Sequence, residues 1–533
     1  MSRLVIAPLV VALVGVVVML ALGRRPRLQR TASGGIGVSY AATVAVAVWS
    51  VVLSPGAPGA TAYQVGGWPA PFGITLILDG LSAFMLVITA TIGLATLVFS
   101  LVSIDQEVQR VHYHPLFHVL LLGVTGAFLT GDLFNLFVWF EVMLLSSYIF
   151  VAFYGEGRHT AASFRYLVLN VVGSALMLLG VGGLYAVTGT LNMADMSRRL
   201  ADPMAFGIEV TPVIGLTALL LAVFALKAGL VPFQFWVPEA YTAAPLPVTA
   251  MFAGVTKKVG IYAIVRLYFT VFGGMSLQID IPVLPIDSPH ALLASVLLGM
   301  GVASILIGGL GAVSRETVEE TFAYSSVGQV GFIAIPVAIG AASAGFLQRL
   351  ALAAAFVYIL HHSLAKGMLF LVAASISNAI GTNRVADLGG LSRCSPVLAG
   401  SFFVGVLSLI GLPPLAGFFG KFLVFDAAVR QYATTGGGTA LTTLLVLLTG
   451  AVLTIIYATR LWTRIFWGTE TPAVQEAVFD GRELTVIAVL AATVVLVGVG
   501  FEPVYEFAET AATAALDQEG YVDIVDPVGG VST

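Results

Sequence analysis

A chain of 533 residues with 58% hydrophobic and only 10% charged side chains lies far below the roughly 25% charge of soluble domains, and a soluble fold is excluded. The net charge of -4 brings no basic patch, so nucleic acid is excluded as a partner. One cysteine, Cys394, with no Cys/His cluster supplies no iron–sulfur or zinc site, so neither cofactor nor metal is expected.

The apolar run 4–22 is long enough to span a bilayer, and Arg24, Arg25 and Arg27 follow it, the reverse of a secretory signal. It is expected to remain as helix 1. Hydrophobic runs then predict helices near 36–54, 76–102, 115–131, 133–153, 165–188, 211–231 and 245–270. Six more follow near 290–313, 321–341, 349–377, 396–430, 439–466 and 484–501. At about 20 apolar residues per span, the chain reads as an all-α integral membrane protein of about fourteen transmembrane helices. Pro55 to Pro71 reads as a turn-rich loop and Leu191 to Glu209 as a short interfacial stretch. The tail holds Glu502, Glu506, Glu509, Asp517, Glu519, Asp523 and Asp526 without a balancing base. It is expected in the outer aqueous phase or against a neighbour, a solvated tail being the simpler reading.

With the N-terminus outside, the inner loops collect thirteen basic residues: Arg24, Arg25, Arg27, Arg30, Arg110, Arg158, Arg165, Arg315, Arg384, Arg393, Arg460, Arg464 and Arg482. The outer segments keep five, namely Arg3, Arg198, Arg199, Arg349 and Arg430. That bias follows the positive-inside rule, and with an even number of spans it puts both termini outside the cell membrane.

The remaining cations, Lys227, Lys257, Lys258, Arg266, Lys366 and Lys421, fall inside predicted spans, and they include every lysine in the chain. A cation at the bilayer centre costs about 2.5–3.5 kcal/mol on insertion scales, so these must face the bundle interior or a water-filled cavity. Reserving lysine for the interior fits a need for a cation that gives up its proton, which arginine does not do. The acidic counterpart is Glu141 in the fifth span. Either it carries protons with a lysine, or it forms a buried pair that only fixes packing.

Two spans carry a proline near a lysine: Pro232 after Lys227, and Pro413 and Pro414 before Lys421. Broken helices at membrane depth need protein or cavity water around the freed backbone, as in transporters built from repeats. The order of lysine and proline differs between the two, so sequence symmetry is not demonstrated. In the eleventh span His362 and Lys366 stand four apart on one face, beside His361. In the eighth, Lys258, Tyr262 and Arg266 form a polar stripe, with Lys257 about 100° away facing a cavity or a neighbouring chain. Ser325 and Gln329 in the tenth span can hold waters between charges or serve helix contacts.

Several segments resemble a known family, the antiporter-like subunits shared by Mrp-type sodium/proton antiporters and the membrane arm of respiratory complex I. They are Gly131 to Glu141, Lys227 to Pro247, Lys258 to Tyr262, Ala323 to Gln329, the His362/Lys366 pair and Pro413 to Lys421, in one order along the chain. The fifth-span wording and Lys227 to Phe233 are most similar to the D-type subunit of the Mrp antiporter. The resemblance implies inverted five-helix repeats, helices 4–8 and 9–13, with broken helices 7 and 12. The chain then divides into 1–114, the repeats 115–270 and 290–466, and 484–533 with the tail. It also implies that Glu141 pairs with Lys227, that Lys258 links two half-channels, that His362 and Lys366 continue the route, and that Lys421 stands at its far end. Lys258 is preferred over Lys257 on the alignment of Val259 and Gly260. Assembly with the other Mrp subunits in the lipid bilayer is implied as well.

The expected function is proton translocation within a multisubunit sodium/proton antiporter, not an enzyme. The alternative is a pumping subunit of a complex I-like oxidoreductase or membrane-bound hydrogenase. No sodium site stands out in the sequence, so sodium is expected to cross on another subunit.

Overall fold

The structure is a computed structural model that describes residues 2–105, 109, 112–155, 157–275, 279–281, 284–286 and 288–526. Arg110, counted above among the inner basic residues, lies outside the described residues. In chain order the helices are α1 (Ser2–Ala21), α2 (Pro26–Leu53), α3 (Gly80–Ser103), α4 (Tyr113–Leu129), α5 (Leu133–Val151) and α6 (Gly157–Thr188). There follow α7 (Met193–Ala201), α8 (Val210–Ala228), α9 (Trp236–Ala243), α10 (Leu246–Val271), α11 (Pro289–Ser314), α12 (Val318–Ala341) and α13 (Gly345–Ile380). The set closes with α14 (Pro396–Ile410), α15 (Ala416–Thr435), α16 (Gly438–Phe466), α17 (Gly481–Val499), α18 (Phe501–Leu516) and α19 (Gln518–Val525). Among the described residues, twelve of these are long and apolar enough to cross a membrane, while α4 and α14 are apolar but shorter.

Three expectations need correction. Residues 75–78 are a strand, β2 (Thr75–Leu78), paired antiparallel with β1 (Thr61–Gln64) inside the Gly/Pro-rich loop. The helix starts only after Asp79, whose side chain accepts from Ser82 N–H and caps α3. The second helix begins ten residues before its apolar run, because Pro26 is tolerated in a first turn and Arg27, Gln29 and Arg30 favour helix. The acidic tail is not a solvated strand of chain: α18 and α19 turn Ala508, Ala511, Ala512, Ala515 and Tyr521 inward, and their carboxylates outward.

The core is laid down by three helices. The span of α10 is wholly buried and those of α12 and α13 are 94% buried, whereas α1, α2, α6 and α17 bury about a third or less of theirs. An apolar outer shell facing lipid and a polar-tolerant centre follow from the bilayer as solvent. Close packing is set by small residues: a Cβ on Gly308 of α11 would lie 2.2 Å from the Gly328 backbone nitrogen of α12, so backbones touch there.

Candidate functional site

All five lysines are buried, and the three central helices carry three of them. The first, Lys227, occupies the last turn of α8. That helix stops because Gly229 takes the left-handed conformation, φ 70°, and Pro232 has no N–H to give. The freed groups are satisfied from outside the helix: Trp236 Nε1 donates to the Leu226 carbonyl at 2.9 Å, and Val231 N–H donates to Ser304 Oγ at 2.9 Å. The second break repeats the device. Gly411 ends α14 at φ 93°, the bonds before Pro232 and Pro414 are both cis, and Lys421 Nζ donates to the Ile410 carbonyl at 2.9 Å. Measured from glycine to the cis-bonded proline, both breaks are three residues long, a likeness hidden by the position of the lysines.

At the centre, α10 has a π-helical stretch, Phe252–Thr256, just before its two lysines. Lys257 N–H therefore reaches five residues back to the Phe252 carbonyl. The altered register sends the lysines to different neighbours. Lys257 Nζ donates to the Ser326 carbonyl at 3.0 Å and stands 3.9 Å from where a Gly229 Cβ would be, beside the first break. Lys258 Nζ donates to the Ala253 carbonyl and lies 2.8 Å from His362 Nδ1. An ammonium has no lone pair, so a charged Lys258 makes Nδ1 the acceptor and leaves the ring proton on Nε2.

One turn from His362, Lys366 Nζ donates to the Phe322 carbonyl at 3.0 Å and to Ser325 Oγ at 2.7 Å. Ser325 shares a 2.6 Å hydrogen bond with the Tyr457 hydroxyl. Gln329 ties this end together, its amide donating to Tyr457 and Thr454 at 3.3 Å each while its carbonyl oxygen accepts from Tyr358. Tyr358 meets His361 edge-on, with 5.5 Å between ring centroids, and His361 Nδ1 is 3.1 Å from Ser408 Oγ. Ser408 precedes the break that Lys421 closes. Contacts thus join Lys258 to His362, and Lys366 through Ser325, Tyr457, Gln329, Tyr358 and His361 to Ser408, two residues before the Ile410 carbonyl that Lys421 of α15 caps.

The expected Glu141–Lys227 pair is open here. Glu141 is half-buried and accepts from Ser174 Oγ of α6. Lys227 Nζ has no hydrogen-bond partner among the described residues and stands 5.8 Å from the Trp236 ring. The helices nevertheless meet through Phe140 and Phe224, whose ring centroids are 5.8 Å apart. The Lys258–Tyr262–Arg266 stripe divides in two. Tyr262 donates to the Phe128 carbonyl at 2.8 Å, and Arg266 pairs with Asp79 at 2.6 Å, both ends buried. Tyr457, Tyr358, Ser408 and Thr454 escaped sequence reading because each is one hydroxyl in an apolar run. A line of such hydroxyls facing a lysine helix is a tertiary feature.

A family described as "NADH:quinone oxidoreductase/Mrp antiporter, TM" matches residues 130–449, which spans every lysine and histidine of this line. The curated D-type subunit of a Na(+)/H(+) antiporter from Alkalihalophilus pseudofirmus is 34% identical over 98% of this chain and 99% of its own length. The N-type subunit of NADH-quinone oxidoreductase from Desulforudis audaxviator is 37% identical, but over 67% of each chain. A chain from the structure of the Mrp complex of Dietzia sp. DQ12-45-1b superposes with a TM-score of 0.84 at 29% identity, covering 98% of this chain and 99% of that one.

Proposed function

Because the chain belongs to the NADH:quinone oxidoreductase/Mrp antiporter membrane family, we propose that it is the proton-carrying D-type subunit of a multisubunit sodium/proton antiporter. Likeness to antiporter subunits over nearly the full length, against two thirds for the redox-pump relative, favours this over the oxidoreductase reading. The neighbours are then the other antiporter subunits, and the chain's work is transport.

The observation that carries the reading is the buried line from Lys227 to Lys421. Lysine can release its proton and arginine cannot, and every lysine here belongs to the line or flanks it. A proton on Lys258 passes to His362 Nδ1 along the 2.8 Å contact. At Lys366 it passes to Ser325 and on to Tyr457 by exchange of hydroxyl protons. The Gln329 amide orients the two phenols and is not itself a carrier. His361 Nε2, His362 Nε2 and Lys227 Nζ are buried with no partner among the described residues. Ordered water bonded to these atoms would complete the route. Glu141 acts as the switch at the near end, closing on Lys227 and releasing it toward Lys257 and Lys258.

The fourteen-span arrangement, counting α4 and the α14–α15 pair as crossings and α9 as the second half of α8's span, belongs to the same reading. So do the inverted repeats 115–270 and 290–466, the cell-membrane location, and termini on the outer side. Exchange by the assembled complex in sealed vesicles tests it. Tyr457→Phe and Lys366→Met should slow proton movement without loss of assembly. Normal exchange in both variants would refute the route.

A further inference from the structure

Two of the five histidines outside the lysine line stand together. His114 and His118 stand one turn apart on α4, and with Ser33 of α2 they are fully buried. Ser33 Oγ lies 3.3 Å from His114 Nδ1 and 3.0 Å from His118 Nε2. A hydroxyl donates once and accepts from others, so Ser33 can accept from one ring while it donates to the other. The second nitrogen of each ring, His114 Nε2 and His118 Nδ1, is buried with no partner among the described residues. A Cβ on Gly15 of α1 would sit 2.7 Å from His118 Nδ1, so a glycine there makes room for the ring.

Gln29 precedes Ser33 by one turn on α2 and lines a cavity of about 530 Å³ with Leu20, Arg24, Gln109 and His112. Further along α2, Tyr40 bonds Thr125 at 2.7 Å and Thr125 donates to the Leu121 carbonyl. We propose that His114, Ser33 and His118 form a proton-binding site separate from the lysine line, loaded from the cavity beside Gln29 and setting how exchange responds to pH on that face.

A proton arriving at His114 Nε2 makes an imidazolium. Its Nδ1 proton moves to Ser33 Oγ as the Ser33 proton moves to His118 Nε2, so the charge is shared across one hydroxyl with no other reactant. The charged and titratable groups nearby are Arg30 on α2, a cation that opposes a second positive charge on His114, Asp105, which offsets the Arg30 charge, and Tyr113, whose ring is 5.4 Å from that of His114. From α1 comes Gly15, from α3 Ser100, and from α5 the Phe150 ring against Tyr113. No carboxylate among the described residues bonds either ring. A bound proton is therefore not locked by an ion pair and leaves when pH rises.

The role in exchange rests on the proposed antiporter function, whereas the binding site does not, and the test separates them. Isotope-edited infrared spectra of the purified complex, with ring-labelled histidine, follow imidazole protonation as pH is varied. A titrating band is expected in the parent, lost in His118→Gln and His114→Gln, and altered in Ser33→Ala but retained in Ser33→Thr. In vesicles the glutamine variants should keep exchange within about twofold at the optimum while its pH dependence on that face shifts by about one unit. If they fail to assemble, the serine pair decides. Glutamine variants that titrate like the parent, or Ser33→Ala titrating like the parent, overturn the site. A titrating site whose loss leaves the pH profile of exchange unchanged overturns its regulatory role.

Discussion

At the scale of single residues, arginine and lysine divide the cationic work. The one buried arginine that sequence spacing grouped with the lysines, Arg266, is held by Asp79 from a segment 187 residues away. Spacing within a helix reveals a shared face but not what the face meets, which is why the stripe was legible and its ending was not. Breaking a buried pair by removing one partner costs about 3–5 kcal/mol, while removing both charges is often neutral. Asp79→Asn keeps a good cap for α3 but strands Arg266. It should lower the thermal stability of the complex markedly, and Arg266→Met added to it should restore most of the loss. Equal instability of the double variant, followed by thermal unfolding, would show that the pair is not the cause. The Lys366–Ser325–Tyr457 contacts make a second prediction: Tyr457→Phe should slow exchange by about tenfold, the worth of one lost hydrogen bond in the route, with unchanged amounts of complex in the membrane.

At the scale of elements, the broken helices were legible because proline and glycine punctuate α8 and α14 in the sequence, whatever surrounds them. Their repair was not, since it depends on Trp236 and Ser304 arriving from other segments. Trp236→Phe removes one of the two donors to the Leu226 carbonyl, leaving the Gly229 N–H, and should cost about 0.5–1.5 kcal/mol, read as a lowered melting temperature and a faster loss of exchange on heating. The π-helical turn before Lys257 was equally hidden, since no residue type marks it, yet it aims Lys257 and Lys258 at different partners. Where α11 and α12 touch, Gly308→Ala should destabilise by about 1–3 kcal/mol, since the obstacle is backbone at Gly328 and no flexible side chain can yield. The strand at 75–78 and the packed C-terminal helices were missed for one reason. Apolar runs and acidic runs report composition, and both segments are fixed by tertiary contacts.

For the whole molecule, hydropathy was enough to lay out the helical bundle, because lipid demands internally bonded segments of set length. The buried line from Lys227 to Lys421 draws on seven helices, α8, α10 and α12 to α16, and only its charged members stand out in a sequence this apolar. The isolated chain should show no sodium/proton exchange in vesicles, since it supplies a proton route and is one subunit of a larger assembly. Exchange by the purified single chain would contradict that. The central claim is that a buried lysine gives up its proton during the cycle, and Lys227 is the one best placed to test it, being free of hydrogen bonds among the described residues and on a helix that packs against that of Glu141. The measurement is sodium-driven proton movement by assembled complex carrying Lys227→Arg, which keeps the charge but cannot be deprotonated. Abolished exchange at normal assembly is predicted, and full exchange by the arginine variant would show that only the charge matters and that deprotonation of Lys227 is no part of the mechanism.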